Sequence, residues 1–252
     1  MLLRAIGFLF LPDRWVKELV IVSIVWAFIV WYGGEGMSML LTGTASILTG
    51  APGAVLLYPL LGFAVYPRKT STADSQSATR KAGDDGLLSR KYLRYILAGF
   101  WLFGALLQLQ SNWWQPGQIS QTIGSYIGMG GLNTWLVDPV LKQISTVTAN
   151  IEIPLNIALI VAFLALGIGL AVVRREQLPP FLIASIVVSV VFCYFSEAFG
   201  GILTGMATDF NSGLLVVVMA VWPKASALQT SVRARVAREL RGTEEPGMTQ
   251  RA

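Results

Sequence analysis

The sequence predicts an all-α integral membrane protein with six transmembrane helices, a parallel repeat of a two-helix unit, and interfacial helices on the extracytoplasmic side. Three observations carry this expectation. The 252 residues are 54% apolar and 13% charged, with a mean hydropathy of +0.61, where a soluble domain has about a quarter of its residues charged. The apolar residues gather into six runs, over 15–32, 47–66, 92–109, 151–173, 181–199 and 214–222. With a cytoplasmic N-terminus, all of the 19 Lys and Arg except Lys142 fall on the cytoplasmic side, the bias that true spans impose on their short loops.

A helix needs about 20 apolar residues to cross a hydrocarbon core of about 30 Å. The first five runs meet that length and the sixth is short. Both termini are then cytoplasmic and the location is a bacterial cytoplasmic membrane. The N-terminal "MLLRAIGFLFLP" has no small-residue cleavage site, so the first span reads as a signal anchor. Four segments follow from the composition: a two-span unit over 1–67, a polar cytoplasmic linker over 68–91, a four-span unit over 92–223, and a basic tail over 224–252. In the tail, Val232, Val236 and Leu240 repeat at i, i+4, i+8 among Arg233, Arg235, Arg238 and Arg241, an amphipathic helix for solvent or a membrane surface. The basic pI near 9.5 follows from topology and implies the lipid bilayer as partner rather than nucleic acid, with the linker and tail placed to meet anionic lipid.

Between the third and fourth runs, 111–150 carries Trp113, Trp114, Tyr126 and Trp135 among Gln, Gly and Ser. Tryptophan and tyrosine favour the headgroup layer, so this stretch reads as interfacial helices forming a lid over the outer leaflet.

The repeat is read from two motifs. "EGMSMLLTGTASILTG" from Glu35 and "EAFGGILTGMATDFNSG" from Glu197 pair Glu35 with Glu197, Leu41 with Leu203, Thr42 with Thr204, Gly43 with Gly205 and Ala45 with Ala207. Each runs on to Ala-Val-aromatic-Pro, at Ala64 and at Ala220. Both motifs follow a span running outward, so the repeat axis is expected along the membrane normal. Asp209 lies thirteen residues before Trp222, about 20 Å above the cytoplasmic interface at roughly 1.5 Å per residue, and so within the hydrocarbon. Glycine-rich backbone at that depth is tolerated only when buried in protein or lining a wet cavity.

Polar groups inside spans mark sites by default. Glu152 and Asn156 are four apart and share a helix face, and Gln108 and Gln110 end the third span at the same level. With Glu35 and Glu197 near the outer ends of their spans, these side chains are expected around one outer-leaflet cavity. The candidate proton-exchanging residues are Glu152, Glu197 and Asp209. The candidate ligand-binding residues are Gln108, Asn156, Thr204, Thr208, Asn211, Glu35 and Thr42. The Thr and Gly positions taken singly also fit close helix packing. No metal site is expected: the chain has no histidine and a single cysteine, Cys193, which argues against protein-ligated haem, copper or zinc and against a disulfide framework. The segment 209–213 echoes a calcium loop but lacks the later bidentate glutamate.

The stretches "LRYILAGFWLFGALLQLQ" from Leu93, "ANIEIPLNIALIVAFLALGIGLAV" from Ala149 and "GGILTGMATDFNSGLL" from Gly200 resemble the DoxX/DoxD-like family of small membrane proteins, which includes a quinone-reducing thiosulfate oxidoreductase subunit. The resemblance covers roughly 92–223 and leaves out the first two spans. It implies an external polar site falling on Glu152 and on Asp209 with its neighbours, whereas the first repeat has Ile47 where Asp209 falls. It also implies a quinone, with no covalently bound cofactor, and a partner membrane or extracytoplasmic subunit. Three functions stay open: a quinone-linked redox membrane subunit, a non-catalytic accessory or assembly subunit, and a small-solute or ion permease. Fold-level analogy does not choose among them.

Overall fold

A computed structural model describes residues 13–65, 90–195, 198, 203–204 and 212–221. The linker, the basic tail, Glu197, Thr208, Asp209 and Asn211 lie outside the described residues. Among the described residues every regular element is helical and there is no strand. The long helices are α1 (Asp13–Gly33), α2 (Ala54–Val65), α3 (Arg90–Gln108), α7 (Glu152–Val172) and α8 (Leu178–Phe195), followed by α9 (Ser212–Val221). Three short helices sit between α3 and α7: α4 (Gln118–Gly124), α5 (Asn133–Leu136) and α6 (Asp138–Thr148).

Two helices, α7 and α8, are long and apolar enough to cross a membrane. Only 33% and 28% of their most apolar windows are buried within the chain, so most of each helix turns apolar side chains outward. On α7 these are Ile157, Val161, Leu164 and Ile168, and on α8 Ile183, Val187, Val190 and Val191. A core helix of a soluble protein hides such residues, because each costs about 1.5–3 kcal/mol when left in water; lipid removes that cost. The 21 residues of α1 reach about 31 Å at roughly 1.5 Å per residue, and Ile21, Val25, Trp26 and Ile29 are likewise exposed.

The centre of the fold is the antiparallel pair of α3 and α7. Glycines let the backbones approach: a Cβ on Gly167 would lie 2.6 Å from Leu102 Cγ, and one on Gly104 would collide with Ile47 Cδ1. Trp101 and Phe163 pack at 5.4 Å between ring centroids, Phe163 meets Phe192 of α8 at 5.5 Å, and the Trp101 indole N–H donates to Ser185 Oγ at 3.0 Å. At one end of the pair, Arg94 donates to the carbonyls of Leu170, Ala171 and Val173. These are the last carbonyls of α7, where a positive charge is favoured by the helix dipole. At the opposite end stand Gln108 and Glu152, the last residue of α3 and the first of α7.

The run over 47–66 is not one continuous helix. A tight turn, Ile47–Thr49, is followed by Gly50, Pro52 and Gly53 before α2 begins. Gly53 adopts φ +101°, and a Cβ there would collide with Glu35 and Ser38. The 12 described residues of α2 cover about 18 Å at roughly 1.5 Å each.

The two motifs can be compared locally. Gly36 and Ala198, equivalent in the motif register, both take left-handed backbone, with φ of 52° and 43°. Extended back over the preceding helices, the register matches Ala27, Val30 and Trp31, half-buried or buried on α1, with buried Ser189, Phe192 and Cys193 on α8, but sets exposed Ser23 against buried Ser185. It pairs exposed Ile21, Val25 and Ile29 with exposed Ile183, Val187 and Val191.

The region over 111–150 forms short amphipathic helices. α4 buries Ile119 and Ile123, α6 buries Leu141, and Trp135 of α5 is 82% exposed. Two hydrogen bonds fasten this layer to the end of α8 and to the second motif: Tyr194 Oη donates to Leu136 O at 2.9 Å, and Leu132 N donates to Leu203 O at 3.0 Å.

Candidate functional site

The polar side chains at the Glu152 end of the α3–α7 pair are almost wholly buried. Glu152 opens α7 and is 5% exposed, while Asn156, one turn further on, and Gln108 are 0% exposed. Glu152 Oε1 accepts from the backbone N–H of Ser120 at 2.9 Å. Ser120 is itself held, its carbonyl accepting from Ser145 Oγ at 2.9 Å and its hydroxyl donating to Gly117 O at 3.1 Å. Asn156 Nδ2 donates to the carbonyl of Gln108 at 3.3 Å. Gln108 Nε2 donates to Ser46 Oγ at 2.5 Å.

What remains is one-sided. Glu152 Oε2, Asn156 Oδ1 and Gln108 Oε1 are buried and have no hydrogen-bond partner. In this arrangement all three are acceptors, although Ser46 Oγ, which donates as well as accepts, takes either end of the Gln108 amide. For Asn156 the assignment follows from its bonded atom facing a carbonyl, which requires the N–H end there and leaves the oxygen over. Just beyond α3, Gln110 Oε1 is a further buried acceptor without a partner and Asn112 Nδ2 a donor in that state; among the described residues the Ser189 hydroxyl, on α8, is another group that can donate. A buried polar group without a partner costs about 1–3 kcal/mol, and native structures hold few of them. Three acceptors within one turn of α7 and the last residue of α3 are therefore a poor arrangement for stability and a good one for a ligand that donates. No basic side chain pairs with Glu152 among the described residues, and the C-terminal, negative end of α3 meets the N-terminal, positive end of α7 here, so the two helix dipoles offset each other.

The other candidate residues are placed as follows. Glu35 lies by the turn at Pro52–Gly53, where Ser38 Oγ donates to Glu35 Oε2 at 3.3 Å and to Pro52 O at 2.9 Å. Thr42 is exposed, and its hydroxyl donates to Met39 O at 2.7 Å while pairing with Thr44 Oγ1 at 2.6 Å. Thr204 is half-buried and packs under the lid, with its Cα 3.0 Å from where a Cβ on Gly131 would sit. Of the five predicted site residues before 200 that are described, only Glu152, Asn156 and Gln108 form the buried acceptor set, since Glu35 and Thr42 take part in turns of the first motif.

Two contributors are absent from the sequence expectation. Ser46 reaches the site from the first repeat, and its signal was present as a capping box: the Ser46 side chain accepts from Leu48 N at 3.0 Å, and Thr49 Oγ1 accepts from Ser46 N at 2.9 Å. Ser120 contributes only its backbone N–H, which no side-chain pattern announces. Among the described residues, no group of three or more His, Cys, Asp or Glu comes together to hold a metal ion. No protein-family model, curated protein or solved structure matches the chain.

Proposed function

We propose that this chain is a six-span protein of the bacterial cytoplasmic membrane, of DoxX/DoxD-like type over its last four spans, and the membrane subunit of a quinone-linked redox system. In this reading the Glu152–Asn156–Gln108 cluster takes the reduced quinone head. The observation that supports it is that the cluster's three free oxygens all accept. An oxidised head presents carbonyl acceptors and a quinol presents two hydroxyl donors, so the reduced head is the complementary one. Its isoprenoid tail would lie along the apolar outer surface of α7 and α8.

Quinone reduction takes up two electrons and two protons. In this proposal the electrons come from a haem, flavin or iron–sulfur centre on a partner membrane or extracytoplasmic subunit. Glu152 passes a proton to the head, and the carboxylate so formed accepts from the new hydroxyl. Glu197 and Asp209 are the proposed further proton carriers, and Thr204, Thr208 and Asn211 the residues lining their motif. The same one-sided acceptors favour a second reading, a permease for a small cation or donor-rich solute.

Titration of the purified full chain in detergent, followed by tryptophan fluorescence, separates them. Short-chain ubiquinol or menaquinol analogues are expected to bind at least about tenfold more tightly than their oxidised forms, a difference of about 1.4 kcal/mol. Saturable protection by Na⁺ or K⁺ without quinol binding would select the permease reading. The topology has its own test. Cysteine at Gln76 is expected to label only in permeabilised cells and cysteine at Gln118 in intact cells; external labelling at Gln76 would overturn the six-span arrangement.

A further inference from the structure

We propose that the lid over 111–150 is the gate of the acceptor site: it lifts at its α5 edge, beside the end of α8, to admit the quinol head from the outer leaflet, and closes over it. The proposal rests on the reading of the cluster as a quinol site and concerns how the ligand reaches it.

A site this closed has to open. Gln108 and Asn156 are 0% exposed and Glu152 is 5% exposed, so no head group reaches their oxygens while the lid is down. Two bodies enclose the cluster, and they are held differently. α3 and α7 do not part readily: a Cβ on Gly167 would already lie 3.0 Å from the Leu102 backbone nitrogen, Trp101 packs on Phe163, and Arg94 ties the far ends together. The lid is fastened by hydrogen bonds. Over the site, the Ser120 N–H donates to Glu152 Oε1 at 2.9 Å. Along the α5 edge, the Leu132 N–H donates to Leu203 O at 3.0 Å and Tyr194 Oη to Leu136 O at 2.9 Å. Such bonds contribute little net stability where water can replace them.

The backbone supplies the bends. Trp113, 0% exposed and donating to Ala45 O at 3.0 Å, fixes the start of the segment. Gly117, at φ +87°, stands between that anchor and α4, and Gly128, Gly130 and Gly131, at φ +83°, +84° and +63°, stand between α4 and α5. Glycine changes the sign of φ without steric penalty, and a few such positions are enough to hinge a lid. Ser145 Oγ braces Ser120 O at 2.9 Å, so α4 and α6 lift together. The edge that lets go faces lipid: Leu132, Trp135 and Leu136 are 61%, 82% and 58% exposed, and the outward Val187, Val190 and Val191 of α8 continue that apolar surface. An isoprenoid tail lying there brings its head to the opening.

A disulfide between Leu132→Cys and Leu203→Cys, with the chain's single cysteine changed by Cys193→Ser, staples the edge; residues joined by a backbone hydrogen bond lie within bridging distance. The purified full chain in detergent, oxidised before addition of a short-chain quinol, should associate with it at least about tenfold more slowly, and reduction by a phosphine should restore the rate. Oxidised after loading, it should release the quinol at least about tenfold more slowly. A stapled protein with wild-type rates, or one that sheds a preloaded quinol, would overturn the gate. Tyr194→Phe needs no bridge and serves where the pair does not fold. It should raise association and dissociation together, each at least about twofold, with Kd nearly unchanged; wild-type rates, or faster dissociation alone, would overturn the gate as well. A wild-type chain that binds no quinol would remove the quinol reading and the gate with it, whereas a wild type that binds quinol beside variants with unaltered rates would remove the gate alone.

Discussion

Glu152→Gln is expected to leave the protein inserted and at least as stable as wild type while abolishing quinone-linked turnover. The amide retains an oxygen to accept from the Ser120 N–H, which Glu152 Oε1 does at 2.9 Å, so the tie between lid and α7 survives. The NH₂ falls where Oε2 has no partner, and a donor among unpartnered acceptors relieves part of the cost of about 1–3 kcal/mol that a buried unpaired group carries. Chemistry fares differently. An amide cannot exchange a proton at useful pH, and loss of a positioned acid–base group costs about 10²–10⁴-fold in rate. Glu152→Leu gives the converse pattern, leaving the Ser120 N–H unpaired and lowering stability by about 1–3 kcal/mol. Thermal unfolding in detergent checks the stability of both, and quinone-linked turnover in native membranes, where the electron-donating partner is present, checks the chemistry; a Gln variant with wild-type turnover would take Glu152 out of it.

The largest effect on stability is expected at Gly167. A Cβ there would lie 2.6 Å from Leu102 Cγ and 3.0 Å from the Leu102 backbone nitrogen. A side chain can turn aside, but the backbone nitrogen moves only if α3 and α7 separate. Overpacking a tight core costs about 1–3 kcal/mol even where side chains can shift, so Gly167→Leu should exceed about 3 kcal/mol or prevent accumulation of the folded protein. Gly99 on α3 is the internal control: nothing lies within 4 Å of a Cβ there and it faces outward. Gly99→Leu should therefore be tolerated, and equal loss at both positions would mean that α3 and α7 do not meet as described.

The all-helical class is legible in the sequence from its long apolar runs. Apolar runs of sufficient length become helices wherever they are uninterrupted, as in α3, α7 and α8, and the aromatic stretch over 111–150 becomes short helices because it has one apolar face. The run over 47–66 misleads for a physical reason: hydropathy registers Ala51 and Val55 alike, but not that Gly50, Pro52 and Gly53 turn the chain between them. Within the site, spacing is enough to bring Glu152 and Asn156 onto one face and to place Gln108 at their level. It does not reveal that Ser46, 62 residues away, closes on Gln108, since no local pattern encodes a contact between two units. Nor does it distinguish Thr42, whose hydroxyl completes a turn, from residues that leave an atom free. The resemblance in 92–223 omits the first repeat, and with it the residue that holds Gln108.

The central claim is that the free oxygens of Glu152, Asn156 and Gln108 receive a donor from the reduced quinone head, and the most direct measurement is an experimental structure of the full chain with a short-chain quinol bound. The account predicts a hydroxyl oxygen of the head about 2.5–3.0 Å from Glu152 Oε2, or within that reach of Asn156 Oδ1, beneath the lid. A head bound elsewhere, with the three acceptors satisfied by ordered water or by a rearranged side chain, would contradict it.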